Sequence, residues 1–402
     1  MFYPPRKHLL APQALNPGTT TLLGTSVPVE LETNFPLEEL IVIISATVNA
    51  ALTTAVTPDQ FLGVLKRARL TQNIPGGNPR PIVDFSGVGL LEYASLVGFS
   101  VDRSTLAAVG MAARANFPAS LKTRIAYRIP LVHPMIGEPL RSRMLLPVHT
   151  LEQAPILTLD FDSLANLVSS GSLTSISAEV MMVGRAMTPA ETNAIIKKGG
   201  FIPFDLLEQT LAVPTGYSAP EWKAQLASGG SYLGLMFRQY LGGATVTRDV
   251  VDKTTTFGAE SRWRLDIGGQ TQSDWRWKHL QIVNDFSKTT GSVINADPEL
   301  WVAAASAGSP TVSINEANPS YAGVIAANTA FQPAALTMLD FLTDGVGAEG
   351  ANELGSVLDA NTAPGAKVEL VGEVANVATN QSVIYTGGHR VYGDLSAYQA
   401  RD

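Results

Sequence analysis

The feature that most constrains this chain is a recurring period-two alternation of apolar and polar residues, broken each time by proline, glycine and serine. Across residues 124–132, Ile125, Tyr127 and Ile129 alternate with Arg124, Ala126 and Arg128, which gives an extended strand one apolar and one polar face. Residues 154–161 and 175–183 read as further strands. From Leu40 onward, Ala46, Val48, Ala50 and Leu52 fall on one side, and Ser45, Thr47 and Asn49 on the other. The second half repeats the style at residues 232–241, 245–251, 262–267, 312–314, 367–377 and 382–392. Glycine and proline together make up 60 of 402 residues, 35 plus 25, a share that favours turns and loops over long helices. With 45% hydrophobic and 16% charged residues the chain is well outside the composition of disorder. Many short strands in two consecutive blocks point to two β-sandwiches and exclude a helical bundle.

Helical signals are few. Thr57-Pro58-Asp59 supplies a cap, a proline at the first helical position and an early acid, so a short helix through Phe61 to Leu65 is expected. Thr188-Pro189-Ala190-Glu191 opens another and Lys197-Lys198-Gly199-Gly200 closes it. A third is expected where Ser273 precedes an apolar stripe of Trp275, Leu280, Ile282, Val283 and Phe286. Before residue 33, Pro4, Pro5, Pro12, Pro17 and Pro28 favour an extended arm. The resulting division is an arm at 1–32, a first sandwich at 33–187, a linker at 188–204, a second sandwich at 205–397 and a tail at 398–402. Long loops are expected from Thr289 to Pro333 and from Gly345 to Gly365.

Several chemistries are disfavoured. The chain has no cysteine, so disulfides and thiolate metal sites cannot form. His8, His133, His149, His279 and His389 show no metal-ligand spacing. Gly87-Val88-Gly89 has Glu92 where a dinucleotide loop needs its third glycine, and Gly229-Gly230-Ser231-Tyr232-Leu233 lacks the closing glycine of a nucleophile elbow. No catalytic, cofactor or metal residues are therefore assigned. The last 114 residues hold 3 basic against 12 acidic side chains, which disfavours contact with phosphate backbones there. The first ten residues lack the apolar core of a signal peptide, and the apolar run at 40–56 is marginal for a membrane span.

Two groups leave alternatives open. Asp160 and Asp162, two apart at a strand end, could act as a carboxylate pair of glycoside-hydrolase type or form a solvated terminus. Trp263, Trp275 and Trp277 interleave with Arg262, Arg264, Arg276 and Lys278. They could stack on bases or sugars, or serve in a core or a subunit contact. Trp263 argues for the latter pair, since ring and arginines alternate across a strand.

One block carries more information: Ala126-Tyr127-Arg128-Ile129-Pro130-Leu131-Val132, then Met144-Leu145-Leu146-Pro147-Val148-His149-Thr150-Leu151, then Ile156-Leu157-Thr158-Leu159-Asp160-Phe161. A strand ending in an apolar-Pro-Leu step, a Leu-Pro segment and a strand of alternating aliphatics resembles the first jelly roll of double-jelly-roll major capsid proteins. These are the coat proteins of tailless icosahedral, membrane-containing phages of the tectivirus kind and of large eukaryotic viruses. Tyr127, Ile129, Pro130, Leu131, Leu146 and Pro147 carry the likeness, and the prolines, unable to donate to a ladder, should mark where strands leave the sheet. The Gly200–Leu207 stretch and Tyr232–Tyr240 follow in the same order. The proline-rich arm departs from relatives that have a helix near the viral membrane.

The resemblance implies an all-β chain of two consecutive eight-stranded jelly rolls with a few short helices and long loops. It implies a homotrimer forming a pseudo-hexameric capsomer that tiles the shell, with no enzymatic turnover and no cofactor. Implied partners are other copies, neighbouring capsomers, minor capsid or vertex proteins and an inner viral membrane, with no sequence-specific nucleic acid. The expected location is the virion, and the host cytoplasm during assembly. The loops after Thr289 and Gly345 would form exterior towers, and the arm would tie adjacent blocks. A virion-attached glycan-binding β-sandwich, with the three tryptophans as stacking rings, is the competing reading.

Overall fold

A computed structural model describes residues 7–9, 13–15, 24–31, 35–49, 63–73, 77–97, 120–134, 136, 140–163, 173–241, 257, 261–277, 279–280, 302–306, 309–313, 336–341, 358–359, 367–375 and 382–392. The first half contributes β1 (Lys7–Leu9), β2 (Gln13–Leu15), β3 (Ser26–Glu30), β4 (Leu37–Asn49), β5 (Leu65–Gln72), β6 (Arg80–Ser86), β7 (Ser120–Pro130), β8 (Ile156–Phe161) and β9 (Leu173–Arg185). The second half contributes β10 (Phe204–Val213), β11 (Glu221–Leu226), β12 (Ser231–Tyr232), β13 (Gly234–Leu241), β14 (Arg262–Ile267), β15 (Gln270–Arg276) and β16 (Val302–Ser306). It continues with β17 (Ser309–Ser313), β18 (Leu336–Asp340), β19 (Leu358–Asp359), β20 (Val368–Glu373) and β21 (Ser382–Val391).

In the first sandwich one layer runs β1-β9-β4-β7, with β2 also on β9. Alternation explains its packing: Leu40, Val42 and Ile44 of β4, Ile125, Tyr127 and Ile129 of β7, and Ile176, Ala178 and Val180 of β9 are all buried. They meet Ala68, Leu70, Val83, Phe85, Leu157 and Leu159 from β5, β6 and β8 in one core. The second sandwich sets β11-β20-β14-β15 against β10, β21 and β13, with Trp222, Phe237, Trp263, Leu265, Leu370 and Ile384 inside.

The two halves share one ten-stranded sheet, ordered β18-β13-β21-β10-β6-β5-β8-β3 with β12 and β19 off this path. The join is β6 against β10, where Leu206 faces Val83 and Leu207 faces Asp84; it is the one parallel pair among the described strands. Because side chains alternate, the second-half strands near the join serve both interiors. On β13, Met236 belongs to the first core and its neighbour Phe237 to the second.

The described stretches of the arm are extended and paired within the chain. β1 and β2 lie on β9, with Lys7 opposite Arg185 and Ala14 opposite Glu179. β3 lies on β8, with Val29 opposite Leu157. The helix Pro189–Lys197 has its full capping box: Thr188 Oγ1 accepts from Glu191 N at 3.2 Å, and Thr188 N donates to Glu191 Oε2 at 2.6 Å. Its far end is held by Arg143, whose Nη2 donates to Lys198 O at 3.0 Å and Nε to Gly200 O at 3.2 Å.

The helix expected from Ser273 is corrected. Ser273 lies mid-strand in β15, opposite Leu265, and Trp275 is opposite Trp263. The Gly268-Gly269 pair, with φ of 57° and 84°, makes the two-residue turn that folds this segment back on β14, and helical backbone begins only at Trp277. A helix without sequence expectation, Gly87–Leu96, follows β6 directly. The helix expected from Thr57 through Phe61 to Leu65 is corrected at its end, where Gly63 and Val64 form a turn and Leu65 opens β5, while its earlier residues, the strand at 245–251 and most of both long loops lie outside the described residues.

Candidate functional site

The chemistry-bearing side chains converge on the seam between the sandwiches. Arg238 of β13 projects from the second half and is 3% exposed. Its Nη1 donates to Glu92 Oε2 at 2.9 Å, on the helix Gly87–Leu96, and its Nη2 to Glu208 Oε1 at 2.8 Å, on β10. Nη2 also reaches Ser86 Oγ at 3.1 Å, while Ser86 N donates to Glu208 Oε2 at 2.8 Å. The guanidinium carbon sits 4.4 Å from the centroid of the Tyr385 ring. One cation thus joins four elements from both halves, with its Nη donors on two carboxylates in a buried site, where an unpaired charge would be costly. Gly89 is what lets the helix approach: a Cβ there would stand 2.5 Å from Glu208 Oε1.

A neutral cluster lies beside it. His389 of β21 is fully buried, and its Nε2 is 2.8 Å from the carbonyl oxygen of Pro130. A carbonyl only accepts, so Nε2 carries the proton and Nδ1 accepts from the Tyr93 hydroxyl at 2.6 Å. Burial, and next the nearby His133, holds the imidazole well below its ordinary pKa. The His133 and His389 rings are 5.4 Å apart, edge to face.

A third contact closes the seam at its rim. Arg390 donates from Nε and Nη2 to the two carboxylate oxygens of Asp205 at 2.9 and 2.8 Å, and the Tyr392 hydroxyl donates to Asp205 as well. Arg80 of β6 lies over the Tyr392 ring at 5.1 Å and donates to Phe204 O at 3.2 Å. Burial pushes the Tyr232 hydroxyl, beside Arg390, up to about 12.

The residues carrying the family likeness are in the first sandwich. Tyr127, Ile129 and Leu131 are fully buried, and β7 ends at Pro130. Leu131 N donates to Glu38 O at 3.0 Å. Leu146 makes an isolated antiparallel bridge with Leu37, and Pro147 leads into a 3-10 turn at Val148–Thr150. Pro130 reaches the seam through His389.

The tryptophans gather in the second sandwich. Trp263 and Trp277 are each 1% exposed, with rings 5.6 Å apart, and Phe257 is 4.8 Å from Trp263. A ring with no open area in the single chain has none to give to a sugar, a base or a second subunit, so these two are core. Trp275 is half-buried with its ring 5.6 Å from Phe237. Asp160 accepts from Arg69 Nη2 at 2.7 Å and from Ser26 Oγ, tying β3, β5 and β8 together. Asp162 Oδ1 accepts from Ser163 N at 2.8 Å, so the two carboxylates have separate partners.

Among the described residues no cluster of three or more metal-ligating side chains occurs, and no helix is long and apolar enough to cross a membrane. No protein-family model and no curated protein matches the sequence. Solved structures do match in fold. A chain from the atomic structure of Sulfolobus turreted icosahedral virus (STIV) is 17% identical, with 98% of this chain and 92% of that chain covered at a TM-score of 0.60. The STIV MCP is 13% identical, with 99% and 100% covered at 0.59. The major capsid protein P2 of bacteriophage PM2 is 10% identical, with 96% and 98% covered at 0.50.

Proposed function

We propose, from the all-β double-jelly-roll fold that this chain has, that it is the major capsid protein of a tailless icosahedral virus of the phage kind. The observation that carries the reading is end-to-end likeness: 99% of this chain aligns with 100% of the STIV MCP, both sandwiches included. A partial match could reflect one common sandwich. A match through the seam concerns the fused pair, the arrangement in which three chains present six wedges.

On this reading the chain has a structural role without turnover. Three copies form a pseudo-hexameric capsomer, and capsomers meet one another and minor capsid or vertex proteins in the virion shell, assembled in the host cytoplasm. An inner viral membrane would lie beneath. The welded seam supports it, because a tile transmits contact forces only if its two wedges keep one angle.

Light scattering of purified protein tests the capsomer, and electron micrographs of concentrated material test the shell. Three chain masses and closed particles are expected. A stable monomer at high concentration that forms no particles overturns the proposal.

A further inference from the structure

β21 is the strand on which both sandwiches depend. It lies inside the ten-stranded sheet. It pairs along its whole length with β10, from Val391 opposite Phe204 to Ser382 opposite Val213, and on its other edge with β13, from Gly387 opposite Met236 to Ser382 opposite Leu241. Its side chains alternate between the two interiors. Ile384 belongs to the second core and Val391 to the first, while the Tyr385 ring lies against the Arg238 guanidinium and His389 reaches Pro130 and Tyr93. Its approach to β13 is close enough that a Cβ at Gly388 would stand 2.0 Å from the carbonyl oxygen of Gly234.

The first sandwich is not closed by its own strands. Phe204, Leu206, Leu233, Met236, Met338 and Val391, all beyond the helix Pro189–Lys197, are buried members of its core. Without them the face that holds Glu92, Tyr93 and Pro130 would be open to water, and its polar groups would lose Arg238 and His389. Those partners come late in the chain. Glu92 precedes Arg238 by 146 residues and Pro130 precedes His389 by 259. At about 5–20 residues per second, a growing chain carries Pro130 for tens of seconds before its donor exists. An independent sandwich folds within about milliseconds to seconds and would be finished long before then. A half whose core is completed by residues not yet made has no such stable state, because net stability is a small difference between large opposing contributions.

We propose that β21 is a closing strap: the two sandwiches form one cooperative unit, and the first reaches its final packing only when β21 seats between β10 and β13. An unseated strap leaves the facing edges of β10 and β13 bare, a slot that fits one strand, so closure also withdraws those edges from other chains. The proposal concerns the single chain and stands or falls independently of the capsid reading.

Ile384→Val tests this in the full chain, because Ile384 packs in the second core and the change removes a single carbon. Every tryptophan falls at or after residue 222, so tryptophan fluorescence reads the second half. Exchange of the β4 and β9 amides, followed by mass spectrometry of peptides, reads the first. Native-state hydrogen exchange of the unaltered and variant chains is compared over a series of sub-denaturing urea concentrations, where exchange follows global opening. Exchange about 2–10-fold faster is expected in β4 and β9, by the same factor as in β13 and β21, with the fluorescence midpoint in urea lowered in parallel. Faster exchange in β13 and β21 with β4 and β9 unchanged means that the first sandwich stands alone, and overturns the proposal. Pulse-labelled refolding of the unaltered chain gives a second reading. The amides of β4 and β9 should gain protection in the same phase as those of β21; their protection in an earlier phase, with β21 still open, overturns the strap as well.

Discussion

His389 of β21 donates through Nε2 to the carbonyl of Pro130, the last residue of β7, at 2.8 Å. The contact joins the final long strand of the second half to the end of a first-half strand, and acceptance from the Tyr93 hydroxyl at Nδ1 requires the neutral ring with its proton on Nε2.

Stability should therefore depend on acid in a set direction. Folding depresses the His389 pKa, so its contribution is full above the unfolded value of about 6.5 and is lost as pH falls below it, at up to about 1.4 kcal/mol per pH unit. Urea midpoints of the unaltered chain should drop from pH 6.5 downward, and His389→Gln should flatten that drop. An identical slope in both proteins would remove His389 as the cause.

Arg238 should be costly to remove by itself. Arg238→Met leaves Glu92 and Glu208 buried beside an apolar chain, and a loss of about 3–5 kcal/mol is expected. Adding Glu92→Gln and Glu208→Gln should recover more than half of it, because the uncompensated charge is then gone. Chemical denaturation of the single and triple variants decides the point.

Gly387 faces Phe85 across the seam, where a Cβ would stand 2.4 Å from the ring. Gly387→Ala should cost about 1–3 kcal/mol through forced repacking. Phe85→Leu in the same chain should return part of that, although Phe85→Leu alone destabilises. Simple addition of the two losses would show that the glycine is required for another reason.

Trp263→Ala should lower stability by about 3–5 kcal/mol, as expected for a large interior ring, whereas Trp263→Phe should keep the oligomeric state measured by light scattering. Loss of the oligomer with unchanged thermal stability would restore a subunit-contact role.

Local signals survive into the structure where one segment contains both halves of the argument. The Thr188-Pro189-Ala190-Glu191 cap is complete in itself and appears as a capping box. The alternation of Ile125, Tyr127 and Ile129 appears as buried positions of β7. The segment at Ser273 misleads because Trp275, Leu280, Ile282, Val283 and Phe286 fit a helical stripe, while the turn that overrides them lies upstream at Gly268-Gly269. The helix Gly87–Leu96 is hidden by two glycines that are there for close approach. The seam itself is not legible: Arg238 is 146 residues from Glu92, and His389 is 259 from Pro130. What the sequence does offer is a weak hint, a charge inside a largely apolar strand, as with Arg238 in GLMFRQYL.

Backbone hydrogen bonding continues from β3 to β18 through the β6–β10 join, so among the described residues the sheet is unbroken at the waist. If the proposed capsid role holds, a container built from such plates must take up its bending at the gaps between them, and flat facets with creases at their borders are the geometry that inflexible plates permit.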